Sequence, residues 1–488
     1  MTACNNISDI SDRHAFVASW VRSLPEHVAA DAGFPPRTSR KRKRQQQQLT
    51  SPPVSVEKAL GHDGDYQKTM ASTPRKRRRT SAADAVTTDP DSTPRPALSG
   101  GSVPLFQKSN TGSTPSLLSS SIPSGVSSRA SSPRKQMLNL RLRNVVEFNA
   151  LDLNVLPSAA RELVSTITEI GNSLDILPHA VKSSIMEAVD ARDPMPRLWR
   201  YAFKSPVDDE ADARLPGRIP AFWEVEKICR QASECQQDDH EEASWNCTVH
   251  ERVLELVFQD QNGQQYGDFN IMLCTTARLH PAWKPFWSPG KMIDMCVYYA
   301  SMPEDAALRD KIARFALLTP TDTVNHTDFI PISTRPLVLS IETKKNGVQW
   351  DAAQLQIGTW HAAQWAFLRW AVASKLRRQR MDEEERNGGS VIMSQAQEEE
   401  YEATEETKVL SVISDLGFLP GVIVQGHRWY FVCSTYENGK TKLWADRPFG
   451  STQTCLESYS IIAGVRRMAA WARDTYIPWF KLHILDDN

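Results

Sequence analysis

Glu342 and Lys344 stand two residues apart at the end of the apolar run Pro336-Leu-Val-Leu-Ser-Ile-Glu-Thr-Lys-Lys-Asn-Gly347. Side chains of an extended chain alternate with a period of two, so the carboxylate and the ammonium leave one face while Leu337, Leu339 and Ile341 point to the other. A charged pair on a strand that is otherwise apolar destabilises the fold unless something uses it. Metal-assisted hydrolysis of a phosphodiester is one such use. The carboxylate holds a divalent cation, and the lysine orients water and stabilises developing charge. The triplet Glu406-Thr407-Lys408 has the same residue types but sits in a Glu-rich run with no strand pattern, so it carries no such expectation.

A second acid, Asp294, interrupts the apolar segment Gly290-Lys-Met-Ile-Asp-Met-Cys-Val-Tyr-Tyr299, which reads as a strand over 291–300. Alone it is equally a strand-end acid that caps a neighbour. On a strand adjacent to Glu342 it completes two carboxylates and a lysine, enough for Mg²⁺ when waters and substrate phosphate fill the remaining positions.

The elements that must position these residues follow from periodicity. A helix is expected over 244–258, strands over 268–275 and 336–344, and a helical insertion over 304–317. A long helix follows over 351–379, with Leu355, Trp360, Ala363, Phe367 and Trp370 in its apolar stripe. Acidic residues 382–408 read as a flexible insertion, 421–425 and 429–435 as a hairpin, and 456–476 as a last helix. Leu153, Leu156, Leu163, Ile167 and Ile170 mark 145–230 as a helical preamble packed on the core. The resulting class is α/β, with helices against a mixed sheet.

Residues 1–140 are rich in Ser, Pro, Thr, Gln and Arg and read as a disordered tail. Phe16, Trp20 and Leu24 suggest one short helix near 10–25. The net charge of −1 conceals about +12 through Arg143 and −13 beyond it. The clusters Arg40-Lys-Arg-Lys-Arg44 and Arg75-Lys-Arg-Arg-Arg79 read as nuclear-import signals or nucleic-acid patches, and the first reading leads us to expect an import receptor as partner and a nuclear location. Thr73 and Ser132 precede Pro-Arg-Lys, so phosphate at Thr73 would counter the second cluster. An acidic body excludes a broadly basic nucleic-acid binder, so any groove must be a local patch. Eight scattered cysteines without a C-x-x-C pair fit reduced thiols, and no 18-residue apolar run marks a membrane span.

Taken in order, Asp294, Glu342 and Lys344 resemble the motif of the PD-(D/E)XK nuclease superfamily, in particular the fungal PD-(D/E)XK nuclease-like domain proteins, over roughly 240–485. The resemblance implies a restriction-endonuclease-like core of helix, three strands, helix and strand. It implies Mg²⁺ or Mn²⁺ as cofactor, nucleic acid (DNA or RNA) as partner, and the Thr343 carbonyl as a further metal ligand. Val249-His-Glu-Arg-Val-Leu254 resembles the helix motif of the RecB-like branch, which nominates His250 and Glu251 as metal ligands. Gln356-Ile-Gly-Thr-Trp360 resembles its Gln-x-x-x-Tyr motif, which nominates Gln356, with Trp in place of Tyr. Ile293 replaces the superfamily's proline, and the 48-residue gap between Asp294 and Glu342 requires an insertion over 304–335. A nuclease fold that binds without turnover is the alternative reading.

Overall fold

The computed structural model describes residues 132–193, 195–286, 288, 292–301, 305–347, 349–386 and 395–485. The short helix near 10–25, the two basic clusters, Thr73 and the tail as far as residue 131 lie outside the described residues. The end of the stretch read as a disordered tail to 140 is instead helical over Pro133–Leu142, because Leu140 is buried in a small core with Val146, Leu355 and Ala362.

In chain order the helices are α1 (Pro133–Leu142), α2 (Ser158–Gly171), α3 (Lys182–Arg192), α4 (Asp209–Ala213), α5 (Phe222–Gln237) and α6 (Glu242–Trp245). A π turn, Asn246–His250, joins α6 to α7 (Glu251–Phe258). Then come α8 (Ala306–Leu318), α9 (Trp350–Arg386), α10 (Gln395–Leu416), α11 (Cys455–Trp471) and α12 (Ile477–Phe480). The strands are β1 (Val146–Ala150), β2 (Phe269–Leu273), β3 (Met295–Tyr299), β4 (Leu337–Lys344), β5 (Leu419–Gln425), β6 (Arg428–Glu437) and β7 (Lys440–Ser451).

They form one seven-stranded mixed sheet in the order β1-β7-β6-β5-β4-β3-β2. β4 and β5 are parallel neighbours, so the chain must cross over between them, and α9 and α10 make that crossover. The long helix α9 lies on the face of Ser340, Gly421 and Ile423. Gly421 permits this close crossing, since a Cβ there would lie 2.8 Å from Ile357 and 3.0 Å from the His361 ring. On the other face α11 approaches equally closely, with a Cβ at Gly450 falling 2.6 Å from Ile461. Buried side chains of α2 (Val164, Ile167), α5 (Val225, Ile228) and α7 (Leu254, Val257) share one core with the sheet. No helix of the described residues is long and apolar enough to cross a membrane.

Two expectations are corrected. The start of the region read as helical, Val146–Ala150, is a strand that pairs in parallel with β7. Its Val-Glu-Phe-Asn-Ala pattern was hidden by the Leu spacing that follows it. Much of the 382–408 segment read as flexible is helical, because α9 runs to Arg386 and α10 starts at Gln395. Pairing across the two helices holds it, with Arg377 to Glu405 at 2.8 Å and Arg369 to Glu406 at 2.5 Å. Val409, Ile413 and Leu416 then anchor α10 in the core. The Glu406–Lys408 triplet is therefore on a helix rather than in a flexible insertion, and not on a strand.

Candidate active site

β4 delivers Glu342 and Lys344 to one face, as their spacing demands. Lys344 Nζ lies 2.5 Å from Glu342 Oε1. Glu342 is fully buried, and Lys344 is 7% exposed. The contact is an ion pair, and Glu342 Oε2 accepts no hydrogen bond among the described residues. Lys344 Nζ also donates to the Thr343 carbonyl at 2.6 Å.

The antiparallel β3–β4 register, with Met295 paired to Ile341, sets Asp294 opposite Glu342. Asp294 stands one residue before β3 rather than within a strand. Its Oδ2 accepts from the Thr343 amide at 2.7 Å and from the Thr343 hydroxyl at 3.0 Å, which satisfies a donor that continued pairing would have used. The carboxylate thus braces β4 beside Glu342.

A third acid arrives from a helix distant in the chain. Glu242, the first residue of α6, has Oε1 3.6 Å from Lys344 Nζ. Starting this helix at Ser244 leaves Glu242 out, and its sole sequence signal, an acid at a helix start, is common to many helices.

Three carboxylates around one ammonium make a cluster short of positive charge. Burial pushes the Glu342 carboxyl well above the usual carboxylate range; the nearby Asp294 adds to this, and Lys344 offsets it only in part. Glu242 is also raised, first by burial, against the pull of Lys344. For Lys344, burial disfavours the ammonium, yet Glu342, Glu242 and Asp294 outweigh it and raise its pKa. Both partners of the pair hold protons more tightly than usual, Glu342 chiefly because it is buried and Lys344 because the acids around it outweigh its burial.

The donor set fits a hard divalent cation. It offers an orphaned, buried carboxylate oxygen on Glu342, the opposed Asp294, the Thr343 carbonyl and Glu242. Among the described residues no three His, Cys, Asp or Glu side chains converge as a ready metal cage. Mg²⁺ does not need one, because it is held by one or two carboxylates with water and phosphate completing the shell.

Gln356, on the first turns of α9, donates to the Met292 carbonyl at 3.0 Å, two residues ahead of Asp294. It tethers the segment that carries the acid. The profile of the PD-(D/E)XK nuclease superfamily matches residues 185–477. The chain belongs to the PD-(D/E)XK nuclease superfamily. No curated protein and no solved structure matches it.

The superfamily match begins in α3, so it takes in part of what the sequence reading set apart as a preamble. Asp294, Glu342 and Lys344, nominated by the resemblance to the superfamily motif, are brought together; the residues nominated from the RecB-like helix motif are placed elsewhere. Both ring nitrogens of His250 are engaged, Nδ1 with the Asn246 side chain and Nε2 with the Gly426 carbonyl, each at 2.9 Å. The ring stacks on Trp245, and burial pushes its pKa down to about 4. Gly426 in turn donates its amide to the Lys344 carbonyl at 3.0 Å, so His250 reaches the site by anchoring a turn. Glu251 has Glu255 and Arg252 as its charged neighbours, and burial raises its pKa. Trp360 is fully buried with its ring edge-on to His326 at 4.7 Å, a packing position rather than a stacking platform.

Proposed function

We propose that the chain is a divalent-metal-dependent nuclease that hydrolyses phosphodiester bonds in nucleic acid, DNA in the first instance. The observation that carries this reading is the assembly of Asp294, Glu342 and Lys344 at one sheet end, with Oε2 of Glu342 buried and unsatisfied. Asp294, Glu342 and the Thr343 carbonyl, with Glu242 beside them, would hold Mg²⁺ or Mn²⁺. When bound, the cation supplies positive charge for the phosphorane-like transition state and acidifies water.

The chain's own residues do the rest. A raised pKa keeps Lys344 an ammonium, so it acts as a hydrogen-bond donor that orients the attacking water and faces developing charge, not as a base. Asp294 fixes the β4 backbone through Thr343, which limits how far Glu342 can move. Gln356 and Met292 hold the Asp294 segment, and the His250–Gly426 contact holds the end of β4.

A second reading, a nuclease fold that binds nucleic acid or protein without turnover, rests on one observation. The Lys344 ammonium engages the Thr343 carbonyl and Glu342, two of the oxygens a cation would use. The basic clusters at 40–44 and 75–79 support a nuclear location for either reading.

One assay separates the two. The purified chain is incubated with single-stranded, duplex and branched DNA, and with RNA, in Mg²⁺ or Mn²⁺, beside Glu342→Ala and Lys344→Ala. Cation-dependent cleavage lost in both variants is the expected result. Binding without cleavage, with no cation-dependent rise in melting temperature, would establish the second reading.

A further inference from the structure

The face that carries Glu342 and Lys344 continues sideways across the sheet. Lys344 pairs with Gln425 on β5, Gln425 with Arg428 on β6, and Arg428 with Ser451 on β7. Paired residues share a face, so Arg428 lies on the face of Lys344, two strands away, roughly 10 Å at the usual strand spacing. Tyr430, two residues further along β6, packs with Ile423 and Ile357 and confirms the assignment of that face to the α9 side.

Arg428 is exposed and pairs with no acid among the described residues. This sets it apart from the cations nearest to it in the site. Lys344 is held by Glu342 and Glu242. Lys345 is held by Asp239 at 2.9 Å and lies 3.6 Å from Glu241. The backbone of Arg428 is fixed on both sides by strand pairing. The preceding turn is clamped from beneath by His250 on the Gly426 carbonyl and by the Gly426 amide on Lys344. Beside it, Trp350 at the start of α9 meets Tyr430 edge-on at 5.0 Å and floors this end of the sheet. An exposed guanidinium on a backbone fixed by strand pairing, with no acid partner among the described residues and on the face of Lys344, suits a single function well. That function is contact with an anion lying across the sheet end.

We propose that Arg428 binds a backbone phosphate of the substrate strand adjacent to the one that is cut, so that the strand runs across the sheet end from Lys344 over Gln425 to Arg428. This rests on the nuclease reading, and it adds to it the direction in which the strand crosses and a contact that carries affinity rather than chemistry.

The test uses the full chain carrying Glu342→Gln, which keeps substrate intact, and fluorescein-labelled single-stranded and duplex oligonucleotides in Ca²⁺ across a NaCl series. Adding Arg428→Ala is expected to weaken binding about tenfold irrespective of sequence and to lower the slope of log K against log salt by about 0.7 to 0.9, the release from one phosphate. Arg161→Ala, an exposed arginine of α2, is the control and is expected to leave both unchanged; the basic tail is common to all variants and cancels. In the active chain, Arg428→Ala is expected to raise KM with little change in kcat and no change in melting temperature. Unchanged affinity and salt slope in a background that does bind would overturn the proposal and leave the nuclease reading standing. A Glu342→Gln chain that binds no oligonucleotide at low salt would overturn both.

Discussion

Glu242, at the start of α6, and Lys344, at the end of β4, meet at 3.6 Å although they are far apart in the chain. Their contact makes the acidic side of the cluster three carboxylates rather than two.

Glu242→Gln keeps the shape of the side chain and removes its charge. Glu242 is 37% exposed and only beside the ion pair, so the fold is expected to tolerate the change. Cation affinity, read by isothermal titration with Mn²⁺, is expected to fall roughly 10- to 100-fold, in the range of residues that support ligands rather than bind alone. Unchanged affinity would remove Glu242 from the site.

Gln356→Leu breaks the tether to the Met292 carbonyl without touching the acids. A lost neutral hydrogen bond of this kind costs about 1 kcal/mol of stability. A larger relative fall is expected in kcat than in substrate affinity, because displacement of Asp294 by a fraction of an ångström affects the chemistry first. Equal kcat in variant and parent would make Gln356 a bystander.

The raised pKa of Glu342 has a signed consequence for stability. The folded protein binds this proton more tightly than the unfolded chain. The group's contribution is therefore full below the ordinary carboxylate value of 4.5 and is lost as pH rises through the folded value. Metal-free Glu342→Gln is thus expected to melt above the parent at pH 8, with the gap closing toward pH 4.5, in chelator-treated melts. A pH-independent gap would contradict the shift.

Buried histidines act in the opposite sense. His250 is held near 4, and His326 and His361 near 3, by burial. A depressed histidine stabilises above its unfolded value of about 6.5 and gives that up as pH falls, so acid melts should show loss of stability from about 6.5 downward. The His250 share is about 3 kcal/mol by the size of the shift. His250→Phe keeps the stack on Trp245 but leaves the Gly426 carbonyl unmet. It is expected to lower the melting temperature and kcat while leaving Mn²⁺ affinity intact. Loss of Mn²⁺ binding in a folded His250→Phe would make the histidine a ligand after all.

The functional strand was legible because its logic is local. An apolar run ending in Glu-x-Lys has one geometry in a sheet, and the helix after it follows from a 3.6-residue stripe. The order helix, strands, helix, strand was readable for the same reason. Glu242 was not, since an acid at a helix start has no distinguishing pattern. The strands β1 and β7 were missed because one is short and adjoins a helix, and the other is interrupted by Asp446, Arg447 and Pro448. His250 was legible as unusual but not as to role, since a histidine beside an acid on a helix reads the same whether it binds metal or a carbonyl.

By itself, then, the sequence determined which side chains share a face along each element, because backbone geometry sets periods of 2 and 3.6 whatever the surroundings. Only the tertiary structure decided which elements meet. Strand register set Asp294 opposite Glu342, helix packing brought Glu242 to Lys344, and a distant carbonyl drew His250 away from the acids. Such contacts depend on long-range burial and pairing, which no local spacing encodes.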